Sequence, residues 1–125
     1  MPDLKRILIV DDDEMVRYIL KEVLSGAGYS VVEAESGEAA IQKLSEHALP
    51  LVLMDRFMPG MGGPEALRRI REQWPATRLV LLSGSPAGME EEPQLERVRT
   101  FPKPFDNQEL LRMVREELQA CGLHP

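Results

Sequence analysis

The chain has 125 residues, 43% of them hydrophobic, and a net charge of −6, which is the size and composition of one domain with a buried core. No run approaches the roughly 20 apolar residues of a membrane span, and the short apolar run before the first three acids is too brief for a signal peptide. The acidic balance argues against direct nucleic-acid binding, and a single cysteine, Cys121, fits a reducing cytoplasm.

Short apolar runs rich in aliphatic residues predict five strands. They are Ile7–Val10, Tyr29–Ala34, Leu51–Met54, Leu79–Leu82 and Thr100–Pro102. Runs of this kind, without polar alternation, are typical of strands that are covered on both faces.

Helices are predicted between and after these strands. The first should bury one stripe of apolar residues: Val16, Ile19, Leu20, Val23 and Leu24. Ser36 predicts an N-cap for the second helix, Pro64 fits the first turn of the third, and Asp106 or Asn107 should cap the last. The segment Gly84–Arg99 is the least regular, and one short helix is predicted there.

Strand and helix repeated five times indicate an α/β fold, a doubly wound (βα)5 arrangement with a parallel sheet and helices on both faces. Crossovers should be right-handed. Ligands in such sheets bind beyond the carboxyl ends of the strands, where the strand order reverses.

Polar residues follow the strands at that edge of the sheet. Three acids follow the first strand, one acid the third, a hydroxyl the fourth and an amine the fifth: Asp11, Asp12, Asp13, Asp55, Ser83 and Lys103. Crowded carboxylates repel, by several kcal/mol (about 4) per pair at 4 Å and an effective dielectric near 20, so protons or a cation must relieve them. Oxygen ligands without His or Cys favour Mg²⁺, which points to phosphoryl chemistry with a carboxylate as a possible nucleophile.

Four segments, ILIVDDDE, LVLMDRFMPGMGG, LLSGS and FPKPF, resemble in order the signatures of response-regulator receiver domains, the CheY-like family. The resemblance covers essentially the whole chain. It implies a flavodoxin-like sheet of strand order 2-1-3-4-5 and a single receiver domain over residues 1–125 with no output domain. The run from SGS to FPKPF is most similar to receivers of hybrid sensor histidine kinases.

The resemblance also implies roles for individual residues. Asp55 would accept a phosphoryl group from a sensor histidine kinase or a histidine phosphotransfer protein. Asp12 would bind Mg²⁺ directly and Asp11 through water, and Asp55 and the backbone carbonyl of Phe57 would also contact the metal. Ser83 and Lys103 would contact the phosphoryl group, and the Lys103–Pro104 bond would be cis. Such a chain is a signalling module that catalyses its own Mg²⁺-dependent phosphorylation and dephosphorylation and then binds a downstream target.

The chain departs from the family at Thr100, where most receivers have an aromatic residue three positions before the lysine. The aromatic Phe101 comes one step later and should face the other side of the sheet. In most receivers, the hydroxyl that follows the fourth strand is coupled to this aromatic side chain. Whether Thr100 supports such a coupling stays open. We expect phosphorylation to reorder the Ser83–Arg99 segment instead.

Two other functions remain open from the sequence. Asp11 and Asp13 have the spacing of the acids in haloacid-dehalogenase-type phosphatases, although those enzymes normally have a longer chain. The chain could also be a pseudo-receiver that only binds a partner, which its full set of site residues argues against.

Overall fold

A computed structural model describes residues 5–55, 62–83, 99–102 and 106–122, apart from the side chains of residues 62–64, 83, 121 and 122. Five strands lie in this part of the chain: β1 (Arg6–Val10), β2 (Ser30–Ala34), β3 (Leu51–Asp55), β4 (Arg78–Ser83) and β5 (Arg99–Pro102). Four helices lie in the same part: α1 (Glu14–Gly26), α2 (Gly37–Glu46), α3 (Gly62–Gln73) and α4 (Asn107–Gly122).

The strands form one parallel sheet in the order β2-β1-β3-β4-β5, which confirms the predicted topology. Strand β1 lies between β2 and β3, with Val10 beside Ala34 on one side and Met54 on the other. The chain therefore runs outward in one direction from β1 to β2 and in the other from β3 to β5. The reversal of strand order falls between β1 and β3.

Alternate residues of the central strands face opposite layers of helix, because side chains in a strand alternate between the two faces. The α2/α3 layer packs on one face of the sheet through Leu8, Val10, Val52, Met54 and Leu81, among others. The α1/α4 layer packs on the other face through Ile7, Ile9, Leu51, Leu53, Val80 and Leu82. Because both faces are covered, the apolar runs of the three central strands β1, β3 and β4 are almost completely buried, whereas the edge strands β2 and β5 are more exposed.

Three helices begin at residues whose side chains cap their first turns. The Asp13 carboxylate accepts from the backbone amides of Met15 (2.9 Å) and Val16 (3.5 Å) at the start of α1. The Ser36 hydroxyl accepts from the amide of Ala39. Asp106, one of the two caps predicted for the last helix, accepts from the amide of Glu109 at 2.7 Å. Each cap satisfies a backbone donor that would otherwise have no partner within the helix.

The structure differs from the sequence predictions in a few places. Ile19 was expected on the buried stripe of α1 but is 52% exposed, and with Met15 and Tyr18 it forms an outward-facing apolar group. Leu20 and Leu24 define the buried direction, and Ile19 lies about 100° around the helix from Leu20.

Four strands are longer than predicted: β1 and β5 begin one residue earlier, and β3 and β4 extend to Asp55 and Ser83, which still pair with the neighbouring strand. Strand β4 also begins one residue earlier than predicted, and β2 begins one residue later. The short helix expected within Gly84–Arg99 falls on residues 84–98, outside the described residues, while Arg99 already belongs to β5. In the part of the chain that the structure describes, no helix has the length and apolar character needed to cross a membrane.

Candidate metal and phosphoacceptor site

Three carboxylates meet at the carboxyl edge of the sheet, where the strand order reverses. One oxygen atom from each of Asp11, Asp12 and Asp55 lies within 4.8 Å of the other two. Asp11 is buried, Asp55 is half-buried and Asp12 is exposed. The group is therefore anchored in the protein on one side and open to solvent on the other.

The strand register explains why Asp11 and Asp55 face each other. Ile9 lies beside Leu53 and Val10 beside Met54, so one further step along both strands places Asp11 beside Asp55. Side chains alternate, so Asp11 follows Ile9 and Asp55 follows Leu53 on the α1/α4 side of the sheet. The sequence predicted this meeting of acids, and the parallel pairing of β1 with β3 produces it.

Asp11 is held by hydrogen bonds to three different parts of the chain. Its backbone amide donates to the carbonyl of Ala34 at 3.1 Å, which continues the contact between β1 and β2. Its Oδ1 accepts from the amide of Asp13 at 2.9 Å. Its backbone carbonyl accepts from Nη1 of Arg17 at 2.6 Å. These bonds fix both the peptide and the carboxylate of the most buried acid in the group, whose exposed fraction is 2%.

Asp13 has a different role from its two acidic neighbours. Its carboxylate caps α1, and it is not among the three clustered acids of the described chain. An acid at a helix N-terminus is favoured by the helix dipole as well as by the capping bonds. The spacing of Asp11 and Asp13 that resembled a phosphatase pair is thus explained here by a helix start.

The donor set of the cluster fits a hard divalent cation. All three groups are carboxylates, and oxygen ligands in this number suit Mg²⁺, which keeps several waters and takes one or two carboxylates from the protein. Of the three acids, Asp12 is exposed and Asp55 half-buried. Mutual repulsion of the carboxylates gives such an ion a direct electrostatic benefit.

Comparison with known protein families identifies the family to which the chain belongs. The family model of the response regulator receiver domain matches residues 7–115, which include every element from β1 to most of α4. The chain belongs to the response regulator receiver domains. It is a receiver of the two-component phosphorelay type, a signalling family whose members bind Mg²⁺ at an acidic pocket and interact with histidine kinases or phosphotransfer proteins and with downstream effectors.

Relatives of the receiver cover nearly its whole length. It is 35% identical to the chemotaxis protein CheY of Bacillus subtilis over 90% of this chain and 97% of that protein. It is 33% identical to sporulation initiation phosphotransferase F of the same organism, over 91% and 94%. The solved structure of the response regulator TrrA of Thermotoga maritima, in complex with Mg²⁺ and BeF, has a TM-score of 0.83 and 32% identity, covering 90% of this chain and 98% of that one.

The remaining predicted site residues are only partly described. Ser83 is the last residue of β4, beside Pro102 of β5, so its backbone lies at the carboxyl edge. Its side chain, Phe57 and Lys103 with its bond to Pro104 lie outside the described part of the receiver. Their predicted roles therefore stay predictions.

Strand β5 confirms the prediction that Phe101 faces the other side of the sheet from Thr100. Phe101 packs against the α1/α4 layer, on the same side as its neighbour Leu82. Thr100 is exposed and pairs with Leu81, whose side chain faces the α2/α3 layer. The aromatic residue of β5 thus lies on the opposite face of the sheet from Thr100.

Arg17 was not predicted from the sequence as a site residue, although it donates a hydrogen bond to the backbone carbonyl of Asp11. Its side chain is only 14% exposed and pairs with Glu33 of β2, whose other oxygen is 3.6 Å from Nζ of Lys21. A signal was present: Arg17 precedes Leu20 and Leu24 by three and seven residues, which places it along the buried face of α1. A charged residue on that face needs a partner, and the sequence alone does not say which one.

Proposed function

We propose that Asp55 is the phosphoryl acceptor of this receiver and that the donor is a phosphohistidine on a sensor histidine kinase or a histidine phosphotransfer protein. The observation that carries the proposal is the meeting of Asp55 with Asp11 and Asp12 within 4.8 Å at the reversal of strand order. Asp55 is half-buried at the end of a fixed strand, so it is positioned by the sheet and still reachable from solvent.

In this proposal Asp12 and Asp55 bind Mg²⁺ directly, Asp11 binds through water, and the backbone carbonyl of Phe57 completes the protein ligands. The support is the all-oxygen donor set and the relative from Thermotoga maritima that was solved with Mg²⁺ and BeF. When bound, the ion supplies positive charge that offsets the carboxylates and the phosphoryl oxygens.

The transfer needs little chemistry beyond positioning. A carboxylate oxygen of Asp55 forms a bond to phosphorus while the bond between phosphorus and the histidine nitrogen breaks, and the released imidazole takes up a proton. The product is an acyl phosphate on Asp55. The Ser83 hydroxyl donates a hydrogen bond to the phosphoryl group, and the Lys103 ammonium forms an ion pair with it. Hydrolysis of the acyl phosphate by water returns the receiver to its starting state.

Phosphorylation then changes the surface that a downstream partner recognises. The exposed Thr100 and the inward-packed Phe101 support a switch that does not depend on an aromatic side chain on the Thr100 side of β5. The proposal includes a cytoplasmic location, supported by the reducing environment that a single cysteine suits.

Mass spectrometry of the intact receiver after incubation with acetyl phosphate and Mg²⁺ tests this proposal. We expect one phosphoryl group on the wild type, found by peptide mapping on Asp55, and none when EDTA replaces Mg²⁺. The variant Asp55→Asn should not be labelled. Glu14→Gln is the matched control, because Glu14 is an exposed acid in the first turn of α1 outside the cluster, and it should be labelled as the wild type is.

Retained labelling in Asp55→Asn would show that another residue is the acceptor, and labelling mapped to Asp11 would favour the phosphatase-like reading. Absence of any label on the wild type, with acetyl phosphate or with a phosphohistidine donor, would leave the pseudo-receiver as the better description.

A further inference from the structure

We infer that Arg17 is a positioning residue of the metal site: by binding the backbone carbonyl of Asp11, it sets the direction in which Asp12 leaves the chain. The inference rests on the proposed Mg²⁺ site. It concerns a residue that binds the backbone carbonyl of Asp11 and is not among the three clustered acids.

The geometry of the peptide group explains how a bond to one residue orients the next. The carbonyl of Asp11 and the amide of Asp12 belong to the same rigid plane. The Nη1 atom of Arg17 lies 2.6 Å from that carbonyl oxygen, so it holds the plane at its Asp12 side. The amide of Asp11 is held separately by Ala34 at 3.1 Å. With both ends of Asp11 fixed, the exposed carboxylate of Asp12 starts from a defined position.

Asp12 needs such support more than the other two acids. Asp11 is buried and its Oδ1 has its own bond to the amide of Asp13, and Asp55 is the last residue of a paired strand. Asp12 follows the end of β1 and precedes the cap of α1, in the connection between the two elements. Of the three acids it is the exposed one.

The side chain of Arg17 is itself held in place. Its Nε donates to Oε1 of Glu33 at 3.3 Å. Glu33 is on β2, beside Ile9 of β1. Because the guanidinium is a planar group with several fixed donors, one arginine can bind Glu33 and the Asp11 carbonyl at the same time. A lysine at position 17 would have a single ammonium for these two partners.

Charge and positioning predict opposite effects on Mg²⁺ affinity. Removing a positive charge near three carboxylates makes the pocket more negative, which on electrostatic grounds alone strengthens the binding of a cation. Losing the bond to the Asp11 carbonyl loosens Asp12, which weakens binding. Loss of a residue that orients metal ligands typically costs about 10–100-fold in metal affinity. The sign of the change therefore separates the two roles.

A titration of the full chain with Mg²⁺, followed by backbone-amide NMR shifts, measures this sign. We expect the dissociation constant to rise at least tenfold in both Arg17→Ala and Arg17→Lys. Arg17→Lys keeps the charge and, if the alanine variant does not fold, carries the test alone. Lys21→Ala is the control, since it removes a nearby positive charge and leaves the bond to the Asp11 carbonyl in place. Its affinity should stay within about twofold of the wild type or become tighter.

Labelling by acetyl phosphate gives a second readout. In the Arg17 variants, the Mg²⁺ concentration for half-maximal labelling should rise by the same factor as the dissociation constant, while the rate at saturating Mg²⁺ should approach that of the wild type. A merely structural role would lower thermal stability and leave the Mg²⁺ affinity of the folded protein unchanged.

The Mg²⁺ titration distinguishes a failure of the role proposed for Arg17 from a failure of the proposed Mg²⁺ site. Unchanged or tighter Mg²⁺ binding in Arg17→Lys, alongside normal binding by the wild type, would overturn the role of Arg17 alone. A wild type that does not bind Mg²⁺ would overturn the proposed site and this inference together.

Discussion

Replacing Asp12 by Asn should stabilise the receiver in the absence of metal and remove its stabilisation by Mg²⁺. Asp12 lies within 4.8 Å of two other carboxylates. At 4.8 Å, each pair repels by about 3.5 kcal/mol at an effective dielectric of 20 and by about 0.9 kcal/mol in bulk water. Asp12 is exposed, so the lower figure applies, and its two pairs cost about 2 kcal/mol.

A smaller effect opposes this gain. Asp12 lies one residue before the cap of α1, where a negative charge is favoured by the helix dipole by about 0.3–1 kcal/mol. Asn has nearly the same shape as Asp, so packing changes little. The expected net stabilisation of Asp12→Asn in EDTA is therefore about 1 kcal/mol.

Urea unfolding in EDTA and in Mg²⁺ measures both parts of the prediction. The fluorescence of the single tryptophan, Trp74, reports unfolding, because it packs against the α2/α3 layer. At a Mg²⁺ concentration ten times the dissociation constant, the wild type should gain about 1.4 kcal/mol and Asp12→Asn much less, so the two exchange rank. Glu14→Gln, outside the cluster, should lose at most the helix-dipole contribution of about 1 kcal/mol, by the same amount in both buffers. If Asp12→Asn is less stable than the wild type in EDTA, carboxylate repulsion does not dominate this site and the reasoning is wrong.

Two further predictions concern the scaffold. In urea unfolding, Glu117→Ala should lower the free energy of unfolding by about 2 kcal/mol, because this 6%-exposed residue of α4 accepts hydrogen bonds from Arg78 and Arg99, the first residues of β4 and β5. The control Glu116→Ala, at an exposed neighbouring position, should lower it by no more than about 0.5 kcal/mol. Burial alone would lower the pKa of Arg99, but its bonds to Glu116 and Glu117 outweigh burial and raise the pKa. The stability that a raised pKa contributes is lost only when the pH rises through that pKa. The difference in unfolding free energy between the wild type and Glu117→Ala should therefore be constant from about pH 7 to about pH 9. A difference that shrinks over this range would contradict the assignment. Ser36→Ala should lower the free energy of unfolding by about 1 kcal/mol in thermal or urea unfolding, because it removes the cap of α2. The control Ser45→Ala, in the same helix, should be neutral or stabilising. Equal effects of the two substitutions would argue against capping.

The sequence was a good guide wherever a local pattern decides the structure. Apolar runs such as Leu51–Met54 are short and rich in aliphatic residues, which is typical of strands covered on both faces, and this run is fully buried. Parallel strands place their carboxyl ends on one edge, so the meeting of Asp11 with Asp55 followed from strand order alone. The caps at Ser36 and Asp106 were also predicted, since each acts within its own first turn.

What the sequence did not reveal depends on partners far along the chain. Glu117 is buried because Arg78 and Arg99, which are 39 and 18 residues away, approach it. Arg17 finds Glu33 on the neighbouring strand, 16 residues on. Ile19 fits the apolar stripe of α1 by its sequence spacing but is exposed. Whether a residue at the edge of such a stripe is buried depends on how the helix is rotated about its axis against the sheet. Each of these is a tertiary outcome that helical periodicity leaves open.

The sheet acts as a wall between two separate compartments of side chains. Neighbouring residues of one strand, such as Leu53 and Met54, belong to different compartments and have different packing neighbours. A volume lost on one side can be refilled only by residues on that same side. Pairs of compensating substitutions should therefore arise within a compartment, and the two halves of the interior are free to diverge in sequence independently while the backbone between them, and the acids at its edge, keep their places.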